Sequence, residues 1–121
     1  MIIAELLKSG SKALKLNKIE THQLDSEVVL SNLLKKPREN LIINLNQKVS
    51  KTVVQNFKKL ISRRANREPL AYILKKKEFW SKDFFVDRST LIPRPETELL
   101  CEKIIKIFNN KSLYILDIGT G

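Results

Sequence analysis

The first 74 residues carry apolar side chains at intervals of three and four, the spacing that places them on one face of a helix. In residues 2–16 this pattern predicts a first helix, carried by Ile2, Ile3, Leu6, Leu7, Ala13 and Leu14. Gly10 and Ser11 are expected to bend or weaken the middle of this helix, because glycine is a poor helix former.

Three more apolar segments follow before residue 75. Thr21 is placed to cap a second helix, which Pro37 ends and whose predicted apolar face is Leu24, Val28, Leu30, Leu33 and Leu34. After a short apolar stretch over residues 41–45, Ser50 is placed to cap a helix that carries Val53, Val54, Phe57, Leu60 and Ile61. Pro69 suits the first turn of a short helix, PLAYIL. These segments predict a compact helical bundle over residues 1–74.

The pattern changes after residue 75. The string EFWSKDFFVD is rich in aromatic and β-branched residues and predicts a β-hairpin, so residues 75–92 are expected to link two domains. LIPRPETE then indicates an extended segment and a helix start, with an apolar stripe over Leu99, Leu100, Ile104 and Phe108. Cys101 is expected to pack beside that stripe. Leu113–Leu116 is typical of a buried parallel strand that enters a glycine-rich loop.

The chain is basic, with 23 Lys and Arg against 13 Asp and Glu and a formal net charge of +10. Residues 35–67 hold ten basic residues against Glu39 alone: Lys35, Lys36, Arg38, Lys48, Lys51, Lys58, Lys59, Arg63, Arg64 and Arg67. Such a surface suits nucleic acid or an acidic partner. Lys, Ile and Asn are abundant throughout, however, so solvated surface lysines that result from compositional drift are the simpler explanation of the charge.

Composition and single residues exclude several classes of protein. Apolar runs are far shorter than the ~20 residues that a membrane helix needs, so no membrane span is expected. The first residues lack a basic n-region, which favours a cytoplasmic protein. Cys101 is the only cysteine and His22 the only histidine. An internal disulfide and a Cys/His metal cluster are therefore excluded, and no metal site is expected.

The C-terminal string carries candidate binding chemistry. In ILDIGTG, an apolar strand is followed by Asp117 and then by Gly119 and Gly121, and glycines let the backbone approach a nucleotide-like cofactor. Two glycines are also compatible with an ordinary corner between a strand and a loop.

The order of four strings is more specific. REPLAYIL (residues 67–74), KKEFW (76–80), LIPRPETE (91–98) and ILDIGTG (115–121) together resemble the release factor glutamine methyltransferases, the HemK/PrmC family. That resemblance implies an N-terminal helical domain that recognises the substrate, a β-hairpin linker and a Rossmann-like domain. It also implies transfer of a methyl group from S-adenosylmethionine to the side-chain amide of glutamine in peptide chain release factors.

The resemblance also implies roles for particular residues. The cofactor loop would begin with Asp117, Gly119, Thr120 and Gly121, and Asp117 would favour the amino group of the cofactor. Pro93, Arg94, Pro95 and Thr97 would border the pocket, although these residues could instead only stiffen the linker. On the helical bundle, Arg63, Arg64 and Arg67 are expected to contact the release factor, and the basic face could also approach ribosomal RNA.

The chain departs from the family in two respects. Lys75 stands where family members usually have Gly, so the turn after the short helix loses its easy left-handed residue. The chain also ends inside the expected cofactor loop, without the glutamine-binding NPPY motif. No catalytic residue is therefore assigned, and the chain alone is expected to bind a release factor without catalysing methylation. Whether a longer parent carries further domains stays open.

These observations combine into one expected architecture. The fold is mainly α, with a helical bundle over residues 1–74, a hairpin linker over 75–92 and an incomplete methyltransferase domain over 93–121 that supplies its first helix and strand. The alternative is a non-enzymatic helical module that binds RNA through its basic face. A salt-dependent RNA affinity would favour that alternative.

Overall fold

A computed structural model describes residues 1–120, and the chain divides into two compact units, Met1–Leu74 and a second that begins at Lys75. The described helices are α1 (Ile3–Leu16), α2 (His22–Leu34), α3 (Arg38–Ile43), α4 (Lys51–Ala65), α5 (Leu70–Leu74) and α6 (Pro95–Phe108). Strands β1 (Lys76–Phe79) and β2 (Lys82–Phe85) pair antiparallel. The predicted mainly helical class is confirmed.

The core of the first unit lies where α1, α2 and α4 meet. Its buried apolar side chains come from all three helices, from α3 and from the connection after α1: Ile3, Leu6, Leu14, Ile19, Val29, Leu30, Leu41, Phe57 and Ile61. Burial of this apolar surface is the main term that stabilises the unit.

Gly10 on α1 lies close to side chains of both α2 and α4. A Cβ atom built on Gly10 would stand 2.6 Å from Cζ of Phe57 on α4 and 2.6 Å from Oγ of Ser26 on α2. Helix α1 runs through this position without interruption, so the expected weak point is a packing site. The missing side chain is what lets the Phe57 ring lie against the backbone of α1.

Helix α2 turns most of its predicted apolar face to the core, since Leu30 is buried and Leu33 and Leu34 pack against the core side chains. Leu24 is 44% exposed, whereas Asp25, Ser26, Val29 and Leu30 are buried. Asp25 and Ser26 are tolerated inside because both have partners, and Ser26 Oγ donates a hydrogen bond to the Leu7 carbonyl oxygen at 3.0 Å. The predicted placement of Leu24 in the core was wrong, because a hydrophobic pattern does not show that Asp25 and Ser26 have partners inside.

Three arginines at or just beyond the C-terminal end of α4 form hydrogen bonds within the first unit. Arg64 Nε donates to the buried Asp25 Oδ2 at 2.6 Å, and Arg64 Nη1 donates to the Glu68 carbonyl oxygen at 3.2 Å. Arg63 donates two hydrogen bonds to the Glu68 carboxylate, from Nε at 2.8 Å and from Nη2 at 2.7 Å. These bonds raise the pKa of Arg63 above its ordinary value. Arg67 Nη2 donates to the Asn17 carbonyl oxygen just beyond α1.

Several predicted helix ends are confirmed by backbone geometry. Ser50 is the N-cap of α4 and its Oγ accepts a hydrogen bond from Val53 N at 3.3 Å. Thr21 occupies the N-cap position of α2, but its side chain makes no capping hydrogen bond. Pro69 directly precedes α5, and its carbonyl oxygen accepts from Tyr72 N at 3.0 Å.

The predicted β-hairpin is confirmed in the second unit. Trp80 and Ser81 form its two-residue turn with φ values of 52° and 55°, the left-handed conformation that favours tight hairpins. The rings of Phe79 and Phe84 contact each other edge to face, with centroids 6.2 Å apart. Lys75 also has a positive φ of 56°, so the position where the family usually has glycine does require the left-handed region.

Helix α6 starts as predicted, with Arg94 at the N-cap, Pro95 in the first turn and acidic residues behind it. None of its residues is buried, and its apolar stripe faces solvent in the described chain: Leu99, Leu100, Ile104 and Phe108 are all exposed. Cys101 is half-buried, so the expectation that it packs beside the stripe is met only in part.

The predicted strand at Leu113–Leu116 is not formed, and the described residues 111–120 contain no regular element and are exposed. A buried parallel strand needs neighbouring strands for its backbone hydrogen bonds and cover on both faces. The two described strands pair only with each other. The expected first strand of a Rossmann-like domain is therefore an open segment here.

We expect Gly10→Ala to destabilise the first unit, because the added methyl group would overlap the Phe57 ring and the Ser26 hydroxyl. The free energy of unfolding should fall by about 1–2 kcal/mol despite the better helix propensity of alanine. Urea unfolding followed by circular dichroism measures this loss. Ser62→Ala at an exposed position of α4 is the control and should be nearly neutral, and an unchanged Gly10→Ala variant would contradict the packing argument.

Arg64→Met should cost about 1–3 kcal/mol, because it leaves the Asp25 carboxylate buried without its cation. The same substitution at Lys59, which is exposed on the same helix, should change stability by less than about 0.5 kcal/mol. The same unfolding experiment compares the two. Equal effects would show that the ion pair contributes nothing.

Lys75→Gly should stabilise the chain by about 0.5–1 kcal/mol, since glycine adopts the left-handed conformation without the strain that a Cβ atom adds. Lys59→Gly, inside α4, should instead lose about 1 kcal/mol. Opposite signs in urea unfolding are the expected result. A loss of stability in both variants would contradict the assignment of strain to Lys75.

Candidate functional site

The segment expected to begin the cofactor loop lies open on the surface. Asp117 accepts a hydrogen bond from the Thr120 hydroxyl at 3.0 Å, and both residues are exposed. Gly119 has the left-handed φ of 82° that a tight turn needs, but no atom lies within 4 Å of a Cβ built on it. Gly121 is outside the described residues. Residues 117–120 therefore form a turn but no enclosed cradle, and they do not by themselves fit S-adenosylmethionine.

The residues expected to border a pocket lie at the start of α6. Pro93 is half-buried, and Arg94, Pro95 and Thr97 are exposed. Thr97 N donates to the Arg94 carbonyl oxygen at 3.1 Å, which closes the first turn of the helix. The four residues lie next to one another, and their role at a cofactor pocket stays a prediction.

One contact in the second unit connects the hairpin to α6. The backbone N of Trp80, at the hairpin turn, donates to Oε1 of Glu98 at 2.8 Å. Glu78, Trp80, Ser81 and Glu98 line a shallow cavity of 490 Å³. Glu98 belongs to the diagnostic LIPRPETE string, so at least one residue of that string has a structural role between the hairpin and the helix.

The arginines predicted to contact a partner are engaged inside the first unit. Arg63 and Arg64 are only partly exposed and bind Glu68 and Asp25, and Arg67 donates to a backbone carbonyl. Their first role is to hold the end of α4 in place, and their role in partner binding stays a prediction. The basic residues of α4 that do point into solvent are Lys51, Lys58 and Lys59.

Sequence reasoning missed a groove between α1, α2 and α3, which we name the α3 groove. It has a volume of 530 Å³ and is lined by Leu7, Lys8, Ser11, Gln23, Glu27, Ile42 and Leu45. Two of its apolar side chains are exposed, Ile42 and Leu45. The signal in the sequence was the run LIINL, which carries more apolar residues than a helix of this length can bury on one face.

The walls of the α3 groove are held by hydrogen bonds between elements. The Ser11 hydroxyl on α1 lies 2.8 Å from Nδ1 of His22 on α2, so the lone histidine has a structural partner. Ala4 N donates to the Leu45 carbonyl oxygen at 3.0 Å, which fixes the segment after α3 against α1. The groove is therefore formed before any partner binds.

Two charged residues line the groove, Lys8 and Glu27, and only one of them is in a salt bridge. Arg38 binds Oε2 of Glu27 through Nε at 3.1 Å and Nη2 at 2.6 Å, so the carboxylate in the lining is already paired. Within the part of the chain that the structure describes, Lys8 makes no salt bridge. Lys8 is therefore the charge of the lining that has no salt-bridge partner among the described residues, and it shares the lining with the apolar Leu7, Ile42 and Leu45.

Two kinds of feature are absent from residues 1–120. No group of three His, Cys, Asp or Glu side chains there could hold a metal ion. No helix of this part of the chain has the length and apolar character to cross a bilayer.

Comparison with known proteins gives strong similarities over the chain. A release factor glutamine methyltransferase of Buchnera aphidicola (subsp. Baizongia pistaciae) is 44% identical over 123 aligned residues, which cover 100% of this chain and 44% of the relative. The protein of the same name from the Schizaphis graminum subspecies is 46% identical over 88% of this chain and 39% of its own length. A bifunctional methyltransferase of Rickettsia prowazekii is 35% identical, over 88% of this chain and 25% of its own.

The chain thus spans less than half the length of these relatives. The family match falls on the first compact unit. A family model described as the PrmC N-terminal domain matches residues 5–74, from the first turn of α1 to the end of α5. That match covers more than half of the chain and coincides with the helical bundle built around Gly10, and so the chain belongs to the PrmC N-terminal domain family.

Proposed function

We propose that this chain is the N-terminal part of a protein that methylates the side-chain amide of glutamine in peptide chain release factors. The observation that carries the proposal is the 44% identity to a release factor glutamine methyltransferase over an alignment that covers 100% of this chain, and therefore both of its units. S-adenosylmethionine is the methyl donor that this proposal implies for the complete protein, and the cytoplasm is the compartment.

In this proposal the two units have different roles, recognition of the substrate protein and methyl transfer. The helical unit, Met1–Leu74, recognises the release factor, because it is a packed domain with preformed surfaces and a strongly basic composition of 14 Lys and Arg against 6 Asp and Glu. The linker hairpin connects it to the methyltransferase part. Asp117, Gly119, Thr120 and Gly121 begin the cofactor loop once further strands cover them, with Pro93, Arg94, Pro95 and Thr97 at its border.

In this proposal the described residues 1–120 do not themselves form the catalytic site. Methyl transfer needs the sulfonium carbon and the amide nitrogen held together in a site from which water is excluded. Large apolar side chains of α6 and of residues 113–118 are exposed, which supports the proposal that further parts of the complete protein cover them. Recognition is therefore the function that residues 1–120 support, and catalysis belongs to the complete protein.

We expect the purified 121-residue chain to bind a bacterial class I release factor and to show no detectable affinity for S-adenosylmethionine. Isothermal titration of each ligand separately measures both. Incubation with release factor and radiolabelled S-adenosylmethionine should leave the release factor unmethylated. Failure to bind the release factor would overturn the recognition role. Methylation by the chain would overturn the assignment of catalysis to the complete protein.

A control separates specific recognition from general attraction of a basic protein. A single-stranded RNA oligonucleotide of mixed sequence, titrated at low and physiological salt, should bind more weakly than the release factor and lose its affinity as salt rises. RNA binding that exceeds release-factor binding at physiological salt would favour the alternative, a non-enzymatic module that binds RNA.

A further inference from the structure

We propose that the α3 groove is the surface on which the helical unit docks an acidic segment of its partner protein, with an apolar side chain of that segment inserted between Ile42 and Leu45. The inference rests on the proposed function, because it names the surface and the chemistry by which that unit holds a release factor. It goes further because it places recognition on a surface formed by α1, α2, α3 and the residues just after α3, and not on Arg63, Arg64 and Arg67.

Exposed apolar surface is the first support. Ile42 is 57% exposed and Leu45 39% exposed, although both lie in a unit that buries other leucines and isoleucines completely. Contiguous apolar surface rimmed by polar groups is typical of protein contact sites. The volume of 530 Å³ is within the range of pockets that enclose ligand groups, and it is large enough for one or two aliphatic side chains.

The position of Leu24 extends this surface. Leu24, which the hydrophobic pattern placed in the core, is instead exposed beside Gln23 and Glu27, in a shallow cleft of 320 Å³. Gln23 and Glu27 also line the α3 groove, so the two depressions are neighbours. A bound peptide segment can therefore run along α2 and contact apolar groups in both.

The charged side chains at the groove favour an acidic partner segment. Lys8 stands at the groove without a salt bridge in the described chain, while the Glu27 carboxylate is held by two nitrogens of Arg38. An acidic residue beside the inserted side chain gains an ion pair with Lys8. Nucleic acid fits less well, because no aromatic side chain lines the groove for base stacking and Glu27 faces it with a carboxylate.

The groove is preformed, which favours docking without a large ordering cost. Its α1 wall is fixed by the packing at Gly10, and its α1 and α2 walls are joined through Ser11 and His22. The Leu45 backbone is bonded to Ala4. The partner therefore meets a rigid surface and needs to order only its own segment.

The decisive experiment compares two adjacent isoleucines of α3. Both Ile42 and Ile43 are exposed, at 57% and 80%, but only Ile42 lines the groove. The dissociation constant of the 121-residue chain for a bacterial class I release factor should rise at least 10-fold in Ile42→Asp and by less than threefold in Ile43→Asp. Because both side chains face solvent, both variants should keep the circular dichroism spectrum and unfolding midpoint of the original chain.

A second pair of variants tests the charge. Lys8→Glu should weaken release-factor binding about 10-fold at physiological salt, and Lys59→Glu, with the same change of net charge on α4, by less than twofold. Equal losses in Lys8→Glu and Lys59→Glu would show that only overall charge matters, and that result would overturn the proposed ion pair and the acidic partner segment.

The outcomes separate this inference from the function on which it rests. If the original chain binds the release factor and Ile42→Asp binds equally well, the groove is not the docking surface and the recognition role of the helical unit stands. If the original chain does not bind the release factor at all, that result contradicts both the docking surface and the recognition role of the helical unit. Loss of binding in Ile42→Asp with retention in Ile43→Asp supports both.

Discussion

The absence of a side chain at Gly10 is the constraint on which the helical unit depends. It brings the ring of Phe57 and the hydroxyl of Ser26 to within 2.6 Å of the place where a Cβ atom would stand, so three helices share one point of contact. This packing sets the rotation of α1. One face of α1 is thereby directed at α4, and Leu7, Lys8 and Ser11 are left to form a wall of the α3 groove.

Local chemistry allowed much of the fold to be predicted from sequence. Ser50 before an apolar-periodic run, Pro69 before a short one and the aromatic residues around Trp80 each act through the neighbouring backbone, so their effects follow from nearby residues alone. The burial of Asp25 on α2 could not be predicted in this way. Asp25 is buried because Arg64 lies 2.6 Å from it, and that partner is 39 residues away along the chain.

The same distinction explains the candidate sites. A strand at residues 113–116 depends on neighbouring strands, and the two described strands pair only with each other, so the cofactor segment is open and exposed. The arginines of α4 belong to a basic cluster in the sequence, but a count of charges does not reveal which cations are already paired. The α3 groove was missed because it is built from three helices whose relative placement no local pattern contains.

Hydrogen exchange of the 121-residue chain with and without a bacterial class I release factor tests most directly whether the helical unit performs recognition. We expect the release factor to slow amide exchange within residues 1–74, most strongly in α3 and in the middle of α1, and to leave residues 111–120 unchanged. Protection confined to the residues after Lys75 would contradict the assignment of recognition to the helical unit.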